Sequence, residues 1–240
     1  MLELLGRNAS VEHRRNDVES VIELPYGSEE WYEFRKTHIG GSDAAAILGL
    51  SPWKTISALY DEKTGLIPAK DISNKKYVDY GKKAEEHIAA LFALEHEEQF
   101  EVELVKDIVY VNDFMMASLD ARLTEKSTKR KGFFEVKTGE LRKTIDYEKW
   151  NDKIPDYYYP QILHYFNTRR EFEFGVVLAR LKEWFYNPET EAYDWRIVER
   201  PYYFERIECL NDMEKLLIAE MRFDEMRRNR RRPSLRLPEI

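Results

Sequence analysis

Two apolar runs, Met116-Ala117-Ser118-Leu119-Asp120 and Phe133-Phe134-Glu135-Val136-Lys137, are joined through the polar, basic stretch Lys126-Ser127-Thr128-Lys129-Arg130-Lys131-Gly132. Runs of this kind around a polar connection read as neighbouring strands of a hairpin. Side chains at i and i+2 of a strand share a face, so Glu135 and Lys137 emerge side by side while Val136 turns into the core. Asp120, on the neighbouring strand, can face the same point. Two carboxylates and a lysine converging there suit a hard divalent cation and the activation of a water molecule.

At 240 residues and 28.7 kDa, the chain is long enough to bury a sizeable core in one domain. A hydrophobic content of 43% against 35% charged residues describes a globular chain and argues against disorder. No apolar run approaches the length of a membrane span. The first residues, Met1-Leu2-Glu3-Leu4-Leu5-Gly6-Arg7, lack the pattern of a secretory signal, which points to the cytoplasm. The single cysteine, Cys209, rules out an internal disulfide and a cysteine-based zinc site, and reads as a small apolar group in a late helix. A net charge of −7 argues mildly against a nucleic-acid partner. Charge is uneven, however: six arginines and no acid lie between Met226 and Arg236. That stretch reads equally as a solvated helix end and as an arm touching nucleic acid, because phosphate binding depends on local potential.

Residues 1–24 form a weakly patterned N-terminal extension, 25–225 a single domain, and 226–240 an arginine-rich tail. Ser28 is expected to cap a helix opening Glu29-Glu30-Trp31, with acids where the helix dipole favours them. Ser42 is expected to cap Asp43–Leu48, which Gly49 ends. Ser51-Pro52 is expected to open a third helix that stops at Gly65. After a polar linker, Tyr80–Glu98 is amphipathic, with Ala84, Ile88, Leu91 and Phe92 on one face. Strands are expected over Val102–Val111, Phe114–Leu123 and Gly132–Lys137. Helix returns over Ile145–Arg169, broken at Pro155 and with Pro160 in the first turn of its second half. Strands Phe172–Ala179 and Tyr193–Glu199 precede a closing helix from Phe204 to about Arg230. The order describes an α/β fold.

Asp120 and Glu135 are assigned as direct metal ligands, with the Val136 backbone carbonyl completing the set. One or two Mg²⁺ ions held there would polarise a substrate oxygen, generate an attacking water and relieve a leaving oxygen. Lys137 would orient or help deprotonate that water and offset transition-state charge. A Glu-x-Lys triplet also arises by chance, and Asp61-Glu62-Lys63 is a decoy of that form at a helix end. Strand context and the upstream Asp120 set Glu135-Val136-Lys137 apart. Glu85 is a third candidate carboxylate, directly or through water; alone it reads as a solvated helix residue. Downstream, Tyr157-Tyr158-Tyr159-Pro160-Gln161 opens a helix that carries Gln161, His164 and Tyr165 at i, i+3 and i+4. Gln161 can hold the lysine or the water, while the tyrosines read chiefly as an aromatic stripe packed on the sheet.

Asp120 with Glu135-Val136-Lys137 is the pattern of the PD-(D/E)xK nucleases. From Trp31 to about Arg200 the chain resembles the YqaJ-type viral recombinase family, relatives of phage lambda exonuclease within that superfamily. The resemblance is carried, in family order, by Trp31-x3-Arg35, Ile39-Gly40-Gly41-Ser42-Asp43, Ala46–Pro52 and Lys63-Thr64-Gly65. Gly81-x3-Glu85, Ala117-Ser118-Leu119-Asp120, Glu135-Val136-Lys137-Thr138 and Tyr159-x-Gln161 then follow. It implies a mixed central β-sheet flanked by helices, a restriction-endonuclease-like core. It also implies a Mg²⁺-dependent exonuclease, with Mn²⁺ as a substitute, that digests the 5′-ended strand at double-stranded DNA ends. Catalytic roles would fall to Asp120, Glu135, Lys137, Glu85 and Gln161. Arg35 and Ser42 resemble the residues that hold the 5′-phosphate, in keeping with arginine's bidentate fit to phosphate and with the expected helix N-terminus at Ser42. The 3′ strand would pass to a single-strand annealing recombinase, and a ring-shaped homotrimer is implied as one assembly. An endonuclease with the same metal site, or an inactive DNA-binding module, are the alternative readings. The chain departs from the family at Ala121, where glycine is usual.

Overall fold

The computed structural model describes residues 19–68 and 76–234; positions 1–18 of the N-terminal extension, part of the polar linker and the last residues of the tail lie outside the described residues. Glu19–Glu23, placed in the extension from sequence, form β1, antiparallel to a later strand of a small sheet. Ser28 caps α1 (Glu29–Thr37) as expected, its Oγ accepting from the Trp31 N–H at 3.1 Å. β2 (Ile39–Gly40) runs directly into α2 (Gly41–Ile47). α3 (Ile56–Lys63) starts later than expected. Thr55 is its cap, accepting from the Ala58 N–H at 3.2 Å, whereas Ser51 Oγ ties the loop by accepting from the Trp53 and Lys54 N–H groups. α4 (Lys76–Glu95) is the amphipathic helix.

The two long strands expected next are each split. β3 (Phe100–Leu104) and β4 (Ile108–Asn112) flank a turn in which Asp107 has φ 58°, and β5 (Met115–Ala117) and β6 (Ala121–Glu125) flank Ser118-Leu119-Asp120. At both breaks the chain crosses between sheets, and a crossing needs irregular backbone that period-two patterning does not reveal. β7 (Lys131–Leu141) follows, then α5 (Thr144–Lys149) and α6 (Tyr159–Thr168), with Pro155 between them and Pro160 in the first turn of α6. β8 (Phe172–Asn187) and β9 (Ala192–Glu205) form a hairpin longer than the expected strands, and α7 (Arg206–Arg228) closes the fold.

The smaller sheet has the order β1-β4-β5-β2 and the larger β3-β6-β7-β8-β9. β7 and β8 are parallel, and α5 and α6 supply the crossover that parallel neighbours require. Alternation along β7 covers both faces of the larger sheet. Phe134 and Val136 pack with Ile88 and Phe92 of α4, while Phe133 packs with Ile162 and Phe166 of α6 and Leu216 of α7 lies in the same core. Full burial of each phenylalanine stabilises the fold by roughly 1.5–3 kcal/mol. Val136 thus faces the core on the α4 side, which turns Glu135 and Lys137 toward α6.

Candidate active site

Asp120 lies just ahead of β6, where the ladder pairing Ala121 with Phe134 continues toward Glu135. Its Oδ2 accepts from the Val136 N–H at 2.6 Å. Lys137 Nζ is 2.5 Å from Glu135 Oε1 and 3.0 Å from Gln161 Oε1. The Gln161 amide donates to Glu135 Oε1 at 2.8 Å and to the Tyr165 hydroxyl oxygen at 2.6 Å. The Tyr165 hydroxyl in turn stands 2.9 Å from the Ser118 carbonyl oxygen and 3.1 Å from Glu135 Oε2. Lys137 Nζ also sits 4.9 Å from the Tyr158 ring centroid, within cation–π range. One end of the sheet and the first two turns of α6 therefore form a single hydrogen-bonded cluster.

Charge in this cluster is out of balance. Burial, then Glu135, then Glu85 on α4 push the Asp120 carboxyl well above its ordinary pKa. Burial alone would lower Lys137, but the adjoining Glu135 carboxylate leaves it raised and firmly protonated. Burial, with Glu135 and Asp120 nearby, lifts the Tyr165 hydroxyl well above its ordinary value, so it remains a donor. Carboxylates that penalise one another at a half-buried point are the donor set that a divalent cation stabilises. Among the described residues no three acidic, histidine or cysteine side chains make a closed metal cage. Asp120 and Glu135, carboxylates held at one point, fit a hard divalent cation by the chemistry of their oxygen donors.

A second cluster adjoins the first. Arg35 Nη2 donates to Ser42 Oγ at 2.7 Å and to Asp43 Oδ1 at 3.3 Å. Lys63 Nζ lies 2.7 Å from Asp43 Oδ2 and donates to the carbonyls of Arg35 and His38, both at 2.6 Å. Burial raises Asp43, but Lys63 and Arg35 outweigh it and hold the carboxyl far below its ordinary range; burial, partly offset by Asp43, lowers Lys63 to about 8. The clusters touch through Gly41. A Cβ there would stand 2.8 Å from Tyr165 Cε1 and 2.9 Å from Gln161 Cγ, so only glycine permits this approach of α2 to α6.

Asp120, Glu135, Lys137 and Gln161 come together as the sequence predicts, and Glu85 is near enough for its charge to act on Asp120. Arg35 and Ser42 also meet. Ser42 is not a helix cap, however. Gly40 holds that position, and Asp43 Oδ2 reaches back to the Gly40 N–H at 3.0 Å, leaving the Ser42 hydroxyl to Arg35. Lys63, read as part of a decoy, is buried and braces Arg35 through Asp43. Tyr165, read with the aromatic stripe, is a hub of the Asp120–Glu135–Lys137 cluster; its i+4 spacing from Gln161 was the available signal. In the arginine-rich segment, Arg227 and Arg228 pair with Asp224, Arg232 with Asp61, and Arg230 donates to the Thr64 carbonyl. These four arginines are engaged within the fold.

A mixed sheet covered by helices on both faces, with Asp120 and Glu135-Val136-Lys137 at one end, has the architecture of a restriction-endonuclease-like α/β fold. The chain belongs to the YqaJ-like viral recombinase domain family, whose profile matches residues 30–168, more than half of its length. It is similar to the uncharacterized protein YqaJ of Bacillus subtilis (strain 168), 30% identical over 179 residues that cover 72% of this chain and 50% of that protein. The chain thus spans about half the length of this curated relative. Its fold is similar to the crystal structure of an alkaline exonuclease, LHK-Exo, from Laribacter hongkongensis: TM-score 0.52 and 16% identity, over 85% of this chain and 97% of that one. LHK-Exo in complex with dAMP gives a TM-score of 0.50 at 17% identity, over 85% and 98% of the two chains. Among the described residues no helix is long and apolar enough to cross a membrane.

Proposed function

We propose that this chain is a divalent-metal-dependent deoxyribonuclease that digests the 5′-ended strand of linear double-stranded DNA and leaves a 3′ overhang. One observation carries the reading: the Asp120–Glu135–Lys137 cluster and the Arg35–Ser42 cluster abut through Gly41, an arrangement that suits a terminal phosphate bound beside a metal-activated water. Asp120, Glu135 and the Val136 carbonyl would hold Mg²⁺, with Mn²⁺ as a substitute, and Glu85 would add a ligand through water. Bound there, the metal supplies Lewis-acid polarisation of the phosphodiester and a lowered water pKa. Lys137, protonated and aligned by Glu135 and Gln161, places positive charge where the transition state gains negative charge. Gln161 keeps that ammonium in place, and Tyr165 keeps Gln161 and Glu135 in place. Arg35, braced from behind by Asp43 and Lys63, offers its guanidinium and the Ser42 hydroxyl to a terminal phosphate.

The resemblance further suggests that the 3′ strand passes to a single-strand annealing recombinase, that copies of the chain assemble around DNA, and that the enzyme works in the cytoplasm. The deciding assay supplies Mg²⁺ with three substrates: linear duplex carrying a 5′-phosphate, the same duplex with a 5′-hydroxyl, and closed circular DNA. Rapid loss of the phosphorylated linear duplex, slower loss of the hydroxyl form and an intact circle are expected. Cutting of the circle would establish an endonuclease instead, and equal rates on both linear ends would refute the phosphate role of Arg35 and Ser42.

A further inference from the structure

Beside the catalytic cluster lies an aromatic group that the hydrolytic chemistry leaves without a role. Trp53, in the loop between α2 and α3, is 70% exposed. An exposed apolar side chain is ordinary in isolation, but this one is held in place from two sides. Ser51 Oγ accepts from the N–H groups of Trp53 and Lys54, at 3.3 and 3.2 Å, and fixes the loop. The indole centroid is 4.9 Å from Tyr157, edge to face, and 6.2 Å from Tyr158. Tyr158 is the ring that carries Lys137 Nζ at 4.9 Å. A continuous aromatic path therefore runs from a solvent-facing indole to the lysine of the catalytic cluster.

Every nucleobase has an apolar face that a fixed aromatic side chain can stack upon, whatever its sequence. We propose that Trp53 is the stacking platform for the base of the nucleotide beside the phosphodiester being cut, with Tyr157 and Tyr158 as its buttress. This rests on the nuclease reading above and adds to it how the strand end is gripped. The phosphate cluster holds the terminal phosphate, the metal ligands meet the next one, and Trp53 takes the base between them.

The test compares wild type, Trp53→Ala and Trp53→Phe on a 5′-phosphorylated duplex and on the same duplex with an abasic analogue as its 5′-terminal nucleotide. Affinity is read by anisotropy with Ca²⁺ in place of Mg²⁺, and initial rates are read with Mg²⁺. Trp53→Ala is expected to weaken binding of the intact end roughly tenfold. The abasic end should weaken wild type by a similar factor, and the two losses should not multiply when combined. Trp53→Phe should keep most of the affinity. Unchanged binding by Trp53→Ala, or losses that multiply, would overturn the platform. A change of oligomeric state in Trp53→Ala, read by light scattering, would make Trp53 a contact between copies and equally overturn it. Wild type that binds ends without cutting them would sink the nuclease reading while leaving the stacking comparison readable.

Discussion

The Tyr165 hydroxyl stands 3.1 Å from Glu135 Oε2 and shares its single proton between that oxygen and the Ser118 carbonyl. It simultaneously accepts from the Gln161 amide, so one side chain of α6 orients both partners of Lys137. Tyr165→Phe keeps the ring packed against Phe133 and removes only the hydroxyl. The loss of an ordering contact to a carboxylate should lower kcat about tenfold while KM for DNA stays near wild type. Steady-state rates beside a thermal melt check this, and a wild-type kcat would reduce Tyr165 to a packing residue.

Asp120 is buried in the field of Glu135 and Glu85, and in the absence of a cation burial and these charges together penalise its ionised form. Asp120→Asn should therefore melt a few degrees above wild type in EDTA. Millimolar Mg²⁺ should then raise wild type and leave the variant unchanged, because a ligand that binds only the folded state stabilises by mass action. Turnover should be lost. If Mg²⁺ raised both proteins equally, the ion would bind elsewhere.

Gly41 is where α2 approaches α6 too closely for any side chain. Gly41→Ala should push against Tyr165 and Gln161 and cost about 1–3 kcal/mol by overpacking. Displacement of Gln161 should also lower kcat by at least tenfold, and the preference for a 5′-phosphorylated end should shrink as Ser42 moves with its neighbour. Denaturant unfolding with rates on both linear ends separates the effects. Full activity at reduced stability would break the claimed coupling of the two clusters.

The strands that carry the candidate site were legible because two physical rules coincide there: the i, i+2 spacing of Glu135 and Lys137 puts both on one face, and Val136 and Phe134 must face the other to fill the core. The Arg35–Ser42 cluster was legible in its residues and not in its local geometry. Ser42 follows two glycines and precedes an alanine run, the composition of a cap, yet Gly40 is in extended conformation and Asp43 reaches back to its N–H, so the helix starts earlier. Lys63 looked like a decoy because its partner, Asp43, lies in another helix, and nothing local marks a buried lysine. The expected strand Phe172–Ala179 stops short of Arg180, Lys182 and Glu183, charges that carry no apolar alternation. In the structure Arg180 faces Glu199 and Glu183 faces Arg196 across the hairpin, so cross-strand pairing sustains the strand to Asn187. Contacts between distant segments have no periodicity to read.

His164 is fully buried on α6, with Nδ1 2.7 Å from Glu220 Oε1 of α7 and Nε2 2.9 Å from the Met116 carbonyl oxygen of β5. Both ring nitrogens face acceptors, an arrangement that only the doubly protonated imidazolium satisfies. Burial opposes that charge, but Glu220 overcomes it and leaves the pKa above its ordinary 6.5. A folded-state pKa above the unfolded one means that the folded protein holds the proton more tightly. The stabilisation is therefore complete below about pH 6.5 and is lost as pH rises through the folded value. Melting temperature should fall across that interval in wild type. His164→Gln with Glu220→Gln, which removes both charges and keeps polar partners in reach, should show a flatter profile there. Equal slopes in the two proteins would mean that this pair does not titrate, and that its place between α6, α7 and β5 is held by packing alone.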